Sequence, residues 1–150
     1  MKISSHSKCF TVRLHETDLG AIVHHSNYFH WIEETEYAFF EAIDEPVIGE
    51  LDENKKGTGW PRADMQVKFI KPLRFRDKIR VDLSIKKIRS AGIIYEVEIY
   101  KITSDSPELV LKGSYSAICC LYSSDGESDP EVIPIPDHFL KKISTQQPKE

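Results

Sequence analysis

The chain has 150 residues and a net charge of −4, from 20 Lys and Arg against 24 Asp and Glu. That length fits one domain with its own core, and interspersed charge without a basic stripe argues against nucleic-acid binding, where phosphate neutralisation dominates. No apolar run approaches about 20 residues, so no membrane span is expected. The opening M-K-I-S-S-H-S-K lacks the apolar centre of a signal peptide. Cys9, Cys119 and Cys120 are an odd set with two adjacent members, which is no disulfide framework and fits the cytoplasm.

Lys8 to Leu14 alternates, with Phe10, Val12 and Leu14 on one side, and predicts a half-buried strand. It runs straight into Asp18 and a Gly20-containing turn. Ser26 and Asn27 are expected to cap the helix that follows, because their side chains can accept from its first free N–H groups. Tyr28, Trp31, Ile32, Thr35, Phe39, Ala42 and Ile43 fall at helical spacing, and Phe29, Ala38 and Phe40 widen the stripe. Glu33, Glu34, Glu36 and Glu41 form a limited polar side. A helix apolar on most of its faces must be enclosed, and everything downstream reads as strand.

Asp44 to Gly59 predicts a loop with one helical turn near Val47 to Leu51. Trp60 and Pro61 end it, and Trp60 faces either a pocket or the core. Four strands are predicted at Arg62–Lys71, Lys78–Ile88, Gly92–Ile102 and Glu108–Tyr122, broken at Pro72, Ser90–Gly92 and Ser104–Pro107. Their short connections favour antiparallel neighbours. Ser123 to Pro130 predicts an exposed turn and Ile133 to Pro136 an extended piece. Asp137 is placed as the cap of a last short helix through Ile143, and residues 144–150 as a frayed tail.

The chemistry concentrates ahead of the helix. Asp18 is a carboxylate in the entering turn, and residues 24–27 carry N–H groups without intrahelical partners at the positive end of the dipole. A carbonyl placed there would be polarised. Carboxylate plus oxyanion site is the minimum equipment for acyl transfer; the plainer reading is that both features only cap a turn and a helix. His24, His25 and His30 diverge and lack a carboxylate or Cys at a metal-binding spacing, so no metal is expected. Cys119 and Cys120 read as small packing residues. Lys68, Lys71, Arg74, Arg76, Lys78 and Arg80, extended by Lys86, Lys87 and Arg89, are either a solvated sheet face or partners for phosphates. Asp64 is read as a surface residue, with a role near the pocket as the alternative.

The run V-R-L-H-E-T-D-L-G-A-I-V-H-H-S-N-Y-F, Val12 to Phe29, resembles acyl-CoA thioesterases of the 4-hydroxybenzoyl-CoA thioesterase type, which have the hotdog fold. Glu16, Thr17, Asp18, Gly20, Ile22, Val23, His24, His25, Asn27 and Tyr28 stand at that pattern's positions. F-I-K-P-L-R-F-R-D-K-I-R-V, Phe69 to Val81, resembles the family's second and third strands, and the likeness reaches to about Cys120. The family's glycine falls three positions after the Asp, where this chain has Ala21. A positive φ there would strain an alanine, so a shifted loop is expected.

The resemblance implies an α+β hotdog domain over 1–150, an antiparallel five-stranded sheet wrapped around a long central helix. It implies hydrolysis of an acyl-CoA to carboxylic acid and free CoA, with coenzyme A present only as part of the substrate. By position, Asp18 is the catalytic carboxylate, as nucleophile or as base toward water, and His25 supplies a backbone N–H and, in one branch, its side chain. Tyr28 and Trp60 would line the substrate site, and Arg89 and Ser90 would hold the CoA nucleotide. Some relatives carry the catalytic Glu on the helix; those lack the early Asp, so Glu33 is expected to be a structural partner. V-R-L followed by T-D is similar to 1,4-dihydroxy-2-naphthoyl-CoA hydrolases of phylloquinone synthesis. A homodimer or homotetramer is implied. The rival on the same fold is a non-catalytic acyl-CoA or acyl-carrier-protein binder; the hydratase motif is not evident on the helix.

Overall fold

Five long antiparallel strands carry the molecule, and the computed structural model describes residues 1–146. They are β1 (Ser5–Thr11), β3 (Arg62–Phe69), β4 (Lys78–Ile88), β5 (Gly92–Lys101) and β6 (Glu108–Ile118), in spatial order β1-β4-β5-β6-β3. β2 (Lys56–Gly59), β7 (Cys120–Ser123) and β8 (Glu131–Val132) make a separate three-stranded sheet ordered β2-β7-β8. The helices are α1 (Ser26–Ala42) and the short α2 (Asp137–Leu140).

β4 and β5 bury alternate residues completely: Ile79, Val81, Leu83 and Ile85 on one, Ile93, Tyr95, Val97 and Ile99 on the other. Such period-2 burial follows from the pleat of a strand, and each such side chain contributes about 1.5–3 kcal/mol on burial. α1 lies on this face, and Tyr28, Trp31, Ile32, Thr35, Glu36, Phe39 and Phe40 are buried beneath it. Ala42, expected on the buried stripe, is exposed, and Glu36, expected on the polar side, is buried.

The buried Glu36 follows from a bulge. Arg62 pairs with Ala117 and Asp64 with Ser116, leaving Ala63 as an extra residue in β3. The extra residue turns Arg62 onto the inner face, opposite the buried Ala117, and leaves Asp64 exposed on the outer one. Arg62 then meets Glu36 in an ion pair, and Tyr115 donates its hydroxyl to the same Glu36 Oε2 at 2.9 Å.

Several expectations need correction. Val47 to Leu51 forms no helical turn, and the end of the predicted loop is β2, which pairs antiparallel with β7. The last long strand stops at Ile118, and after Cys119 the chain continues as β7 in the other sheet. Gly59 permits the pairing, since a Cβ there would sit 2.5 Å from the Tyr122 ring. α1 is entered through His25; Ser26 and Asn27 are its first helical residues rather than its caps. Asp137 likewise lies inside α2, with Pro136 at the cap position. The tail is partly pinned: Ser144 N–H donates to Ile3 O at 3.1 Å and Gln146 N–H to Ile85 O at 2.8 Å. The rest of the predicted frayed tail, residues 147–150, lies outside the described residues. No helix among the described residues is long and apolar enough to cross a membrane.

Candidate active site

After β1 the chain makes one 3-10 turn at Leu14–Glu16 and then a small hairpin. Thr17 and Val23 form an antiparallel bridge, and Asp18 to Ala21 is the turn, closed by Ala21 N–H to Asp18 O at 3.0 Å. Ala21 adopts φ 60°, so the turn takes the left-handed conformation at the alanine and the expected shift of the loop is not needed. Gly20 N–H donates to Asp18 Oδ1 at 2.8 Å, which orients the carboxylate and leaves Oδ2 without a protein donor among the described residues.

The hairpin is tied to the helix. His24 N–H and Asn27 Nδ2 both donate to Glu16 O, at 2.9 and 2.8 Å. Glu16 is itself held, its Oε1 accepting from Arg13 N–H at 2.7 Å. His24 Nδ1 lies 2.8 Å from Ser26 Oγ and accepts from Ser26 N–H at 3.3 Å. Asn27 N–H goes to His24 O at 3.0 Å. His25 N–H has no acceptor among the described residues, and it lies where the helix dipole favours negative charge.

Asp18, His25 and Tyr28 line one hollow of about 350 Å³. Ile22 and Val23 form its floor, and Phe69, Ile70, Lys71 and Pro72 its far wall. Tyr28 is buried, edge-on to Phe69 at 5.3 Å. Burial raises its phenol pKa, opposed by a hydrogen bond with the Leu73 backbone. The far wall is positioned by Val23 N–H donating to Leu73 O at 2.8 Å. That wall escapes a reading of the motif alone, because it arrives from the end of β3. Lys71 pairs with Glu108.

The structure does not bring Trp60, Arg89 or Ser90 to this hollow. Trp60 packs against Phe40 and Phe139 and lines a second cavity of about 430 Å³, so it serves core and pocket together. Glu36 and Arg62 sit in the wall of that cavity. Burial raises the Glu36 pKa, and Arg62 and then Tyr115 oppose the rise. Glu33, the expected structural partner, instead accepts from Tyr37 Oη at 2.7 Å on the surface. Arg89 and Ser90 lie in the β4–β5 hairpin, exposed. Cys119 is buried and its thiol is pushed up to about 11, which keeps it protonated.

The family model of the thioesterase-like superfamily matches residues 12–143, a span that includes the hairpin, α1 and both cavities. The chain belongs to the thioesterase-like superfamily. YneP of Bacillus subtilis (strain 168), which carries a provisional acyl-CoA thioesterase name, is 32% identical over 110 residues, covering 72% of this chain and 74% of its own. Three solved members share the fold. The 4-hydroxybenzoyl-CoA thioesterase of Pseudomonas sp. strain CBS-3 has TM-score 0.76 at 17% identity, over 93% of this chain and 99% of its own. A 1,4-dihydroxy-2-naphthoyl-CoA thioesterase from Synechocystis has TM-score 0.73 at 15%, over 91% and 93%. A gentisyl-coenzyme A thioesterase has TM-score 0.74 at 24%, over 89% and 98%. In this superfamily member the hotdog arrangement inferred from the sequence is present, a five-stranded antiparallel sheet around one long helix.

Proposed function

We propose that the protein is an acyl-CoA thioesterase for a compact, aromatic acyl group, acting through Asp18 and the tip of α1. The observation that carries this reading is the shared hollow: Asp18, with an oriented carboxylate, and His25, whose N–H at the helix start has no acceptor among the described residues, line the same space. A thioester carbonyl directed at His25 N–H would have its developing negative charge stabilised by a donor already in place. Asp18 Oδ2 is free either to attack the carbonyl carbon or to take a proton from an attacking water. Both routes end with the acyl carboxylate and the CoA thiol.

An aromatic group suits the apolar wall of Tyr28 and Phe69, and the three solved relatives are named for aromatic acyl-CoA substrates. No step calls for a metal or a further cofactor, and a cytoplasmic setting suits a CoA substrate. Asp18 and His25 are exposed in a single copy, as are Phe69 and Ile70 at the free edge of the sheet. A second copy laid along β3 would cover that edge and exclude water from the hollow, so a homodimer or higher homo-oligomer is part of this reading. Trp60, Arg89 and Ser90 would reach the hollow only from such a second copy.

The test is hydrolysis of a panel of CoA thioesters, aromatic beside aliphatic, with thiol release as the readout, for wild type and Asp18→Asn. Turnover of aromatic thioesters that falls about 100-fold or more in Asp18→Asn, with binding kept, supports the reading. Binding without turnover by the wild type would instead favour the non-catalytic binder.

A further inference from the structure

The first turn of α1 has a second side. Tyr28 faces the hollow, while Asn27 and His30 face a wide groove of about 1020 Å³ between β1, α1 and the loop from β3 to β4. Hollow and groove are therefore separated by one helix, about 10 Å across. The groove is the largest concavity described here, and its surroundings are cationic.

Arg13 and Arg76 line it together. Two hydrogen bonds fix their spacing: Arg76 N–H donates to Val12 O at 3.0 Å and Val12 N–H to Asp77 O at 2.8 Å. Neither arginine has an ion-pair partner among the described residues. The nearby acids are committed: Glu34 to Lys8 at 3.5 Å, and Glu16 Oε1 to the Arg13 backbone. Other basic residues of the same stretch are neutralised, Lys71 by Glu108 and Arg80 by Asp82. Arg76 also holds φ 73°, a left-handed conformation that is unfavourable for a non-glycine residue. Such an outlier is retained where the surroundings impose it, often at binding sites. Beside it Phe75 is a large aromatic left 43% exposed, with the Arg76 guanidinium 4.9 Å from its ring centroid.

Two unneutralised guanidinium groups and a partly exposed aromatic ring with one of them against it, in a roomy groove one helix-width from a thioester site, match one end of the substrate. We infer that this groove holds the nucleotide end of coenzyme A, its phosphates paired with Arg13 and Arg76 and its adenine against Phe75, while the pantetheine arm passes over the first turn of α1. The inference rests on the acyl-CoA reading above. Planar guanidinium groups bind phosphate in bidentate fashion, and a stacked adenine adds apolar contact. The sequence had offered Arg76 only as one member of a long basic run and Arg13 only within the V-R-L of the family-like motif, because nothing local shows that the segments after β1 and after β3 lie together.

The experiment compares the full-length protein with Arg13→Gln, Arg76→Gln and Arg89→Gln, on one acyl group carried either by CoA or by pantetheine alone. KM for the CoA thioester is expected to rise about 10-fold in each of the first two variants, with KM for the pantetheine thioester unchanged within about 2-fold. Arg13→Lys and Arg76→Lys should recover part of the loss, which shows that the fold is intact. Calorimetric titration of adenosine 3′,5′-bisphosphate is independent of turnover: it should bind wild type in a salt-sensitive way and lose affinity in Arg76→Gln. Equal losses on both thioesters, or a nucleotide-dependent loss in Arg89→Gln alone, would overturn the inference while leaving the esterase reading intact. Bisphosphate binding through Arg13 and Arg76 without any hydrolysis would sustain the groove and sink the esterase.

Discussion

The two ends of α1 hold the same kinds of side chain under opposite conditions. At its start a carboxylate, Asp18, and a backbone N–H stand open, fixed only by short local hydrogen bonds. Toward its end a carboxylate, Glu36, is buried, bonded to Arg62 and Tyr115 beneath the stacked Tyr95 and Tyr115 rings. The open end has spare hydrogen-bonding capacity and little packing; the closed end has packing and, apart from one hydroxyl, almost no spare capacity. A group free to meet a substrate is one the fold can do without, so damage at the two ends should register in different measurements.

The largest effect expected is on turnover at the open end. Asp18→Asn should cost about 100-fold or more in kcat while shifting Tm by no more than a degree or two. A large loss of stability instead would merge the two ends. Next comes the closed end, where Glu36→Ala leaves Arg62 and Tyr115 without their shared acceptor and should cost about 3–5 kcal/mol in denaturant unfolding. Arg62→Ala should cost a similar amount, and the double variant less than the sum.

The pH dependence sharpens the point. Because burial raises the Glu36 pKa, the folded state binds that proton more tightly than the unfolded chain. Its contribution to stability is fully present below the ordinary carboxylate value and is lost as pH rises through the raised one. Wild type should therefore gain stability relative to Glu36→Gln as pH falls across that window, measured by paired urea melts.

Smaller changes separate the ends further. Tyr95 Oη is buried with no partner among the described residues, so Tyr95→Phe should stabilise by about 1 kcal/mol. Destabilisation would reveal a bonded water at the closed end. At the open end Ala21→Gly should relieve the φ of 60°, a gain of up to about 1 kcal/mol offset in part by the freer unfolded chain, without moving KM.

Much of this was legible before any coordinates, for local reasons. β4 and β5 alternate strictly and so announced themselves, and Asp18, His25 and Tyr28 fall within eleven residues, joined by one hairpin and one helix turn. What escaped depends on distant partners. Lys56–Gly59, with two glycines in four residues, looks like loop and becomes a strand because β7 lies beside it. Glu36 reads as a polar-face residue until the bulge at Ala63 turns Arg62 inward. Ala21 shows that position can matter more than residue type: the turn keeps its left-handed site although no glycine occupies it.

The ends of the chain carry a last consequence. Ile3 donates to Lys142 O at 2.9 Å and accepts from Ser144 N–H, so the segments around Ile3 and Ile143 run side by side and share one bridge. A short Gly/Ser link could join them with little distortion, and new termini could be opened in the exposed turn at Asp125–Ser128. Such a rewired molecule should keep the Asp18 hairpin untouched.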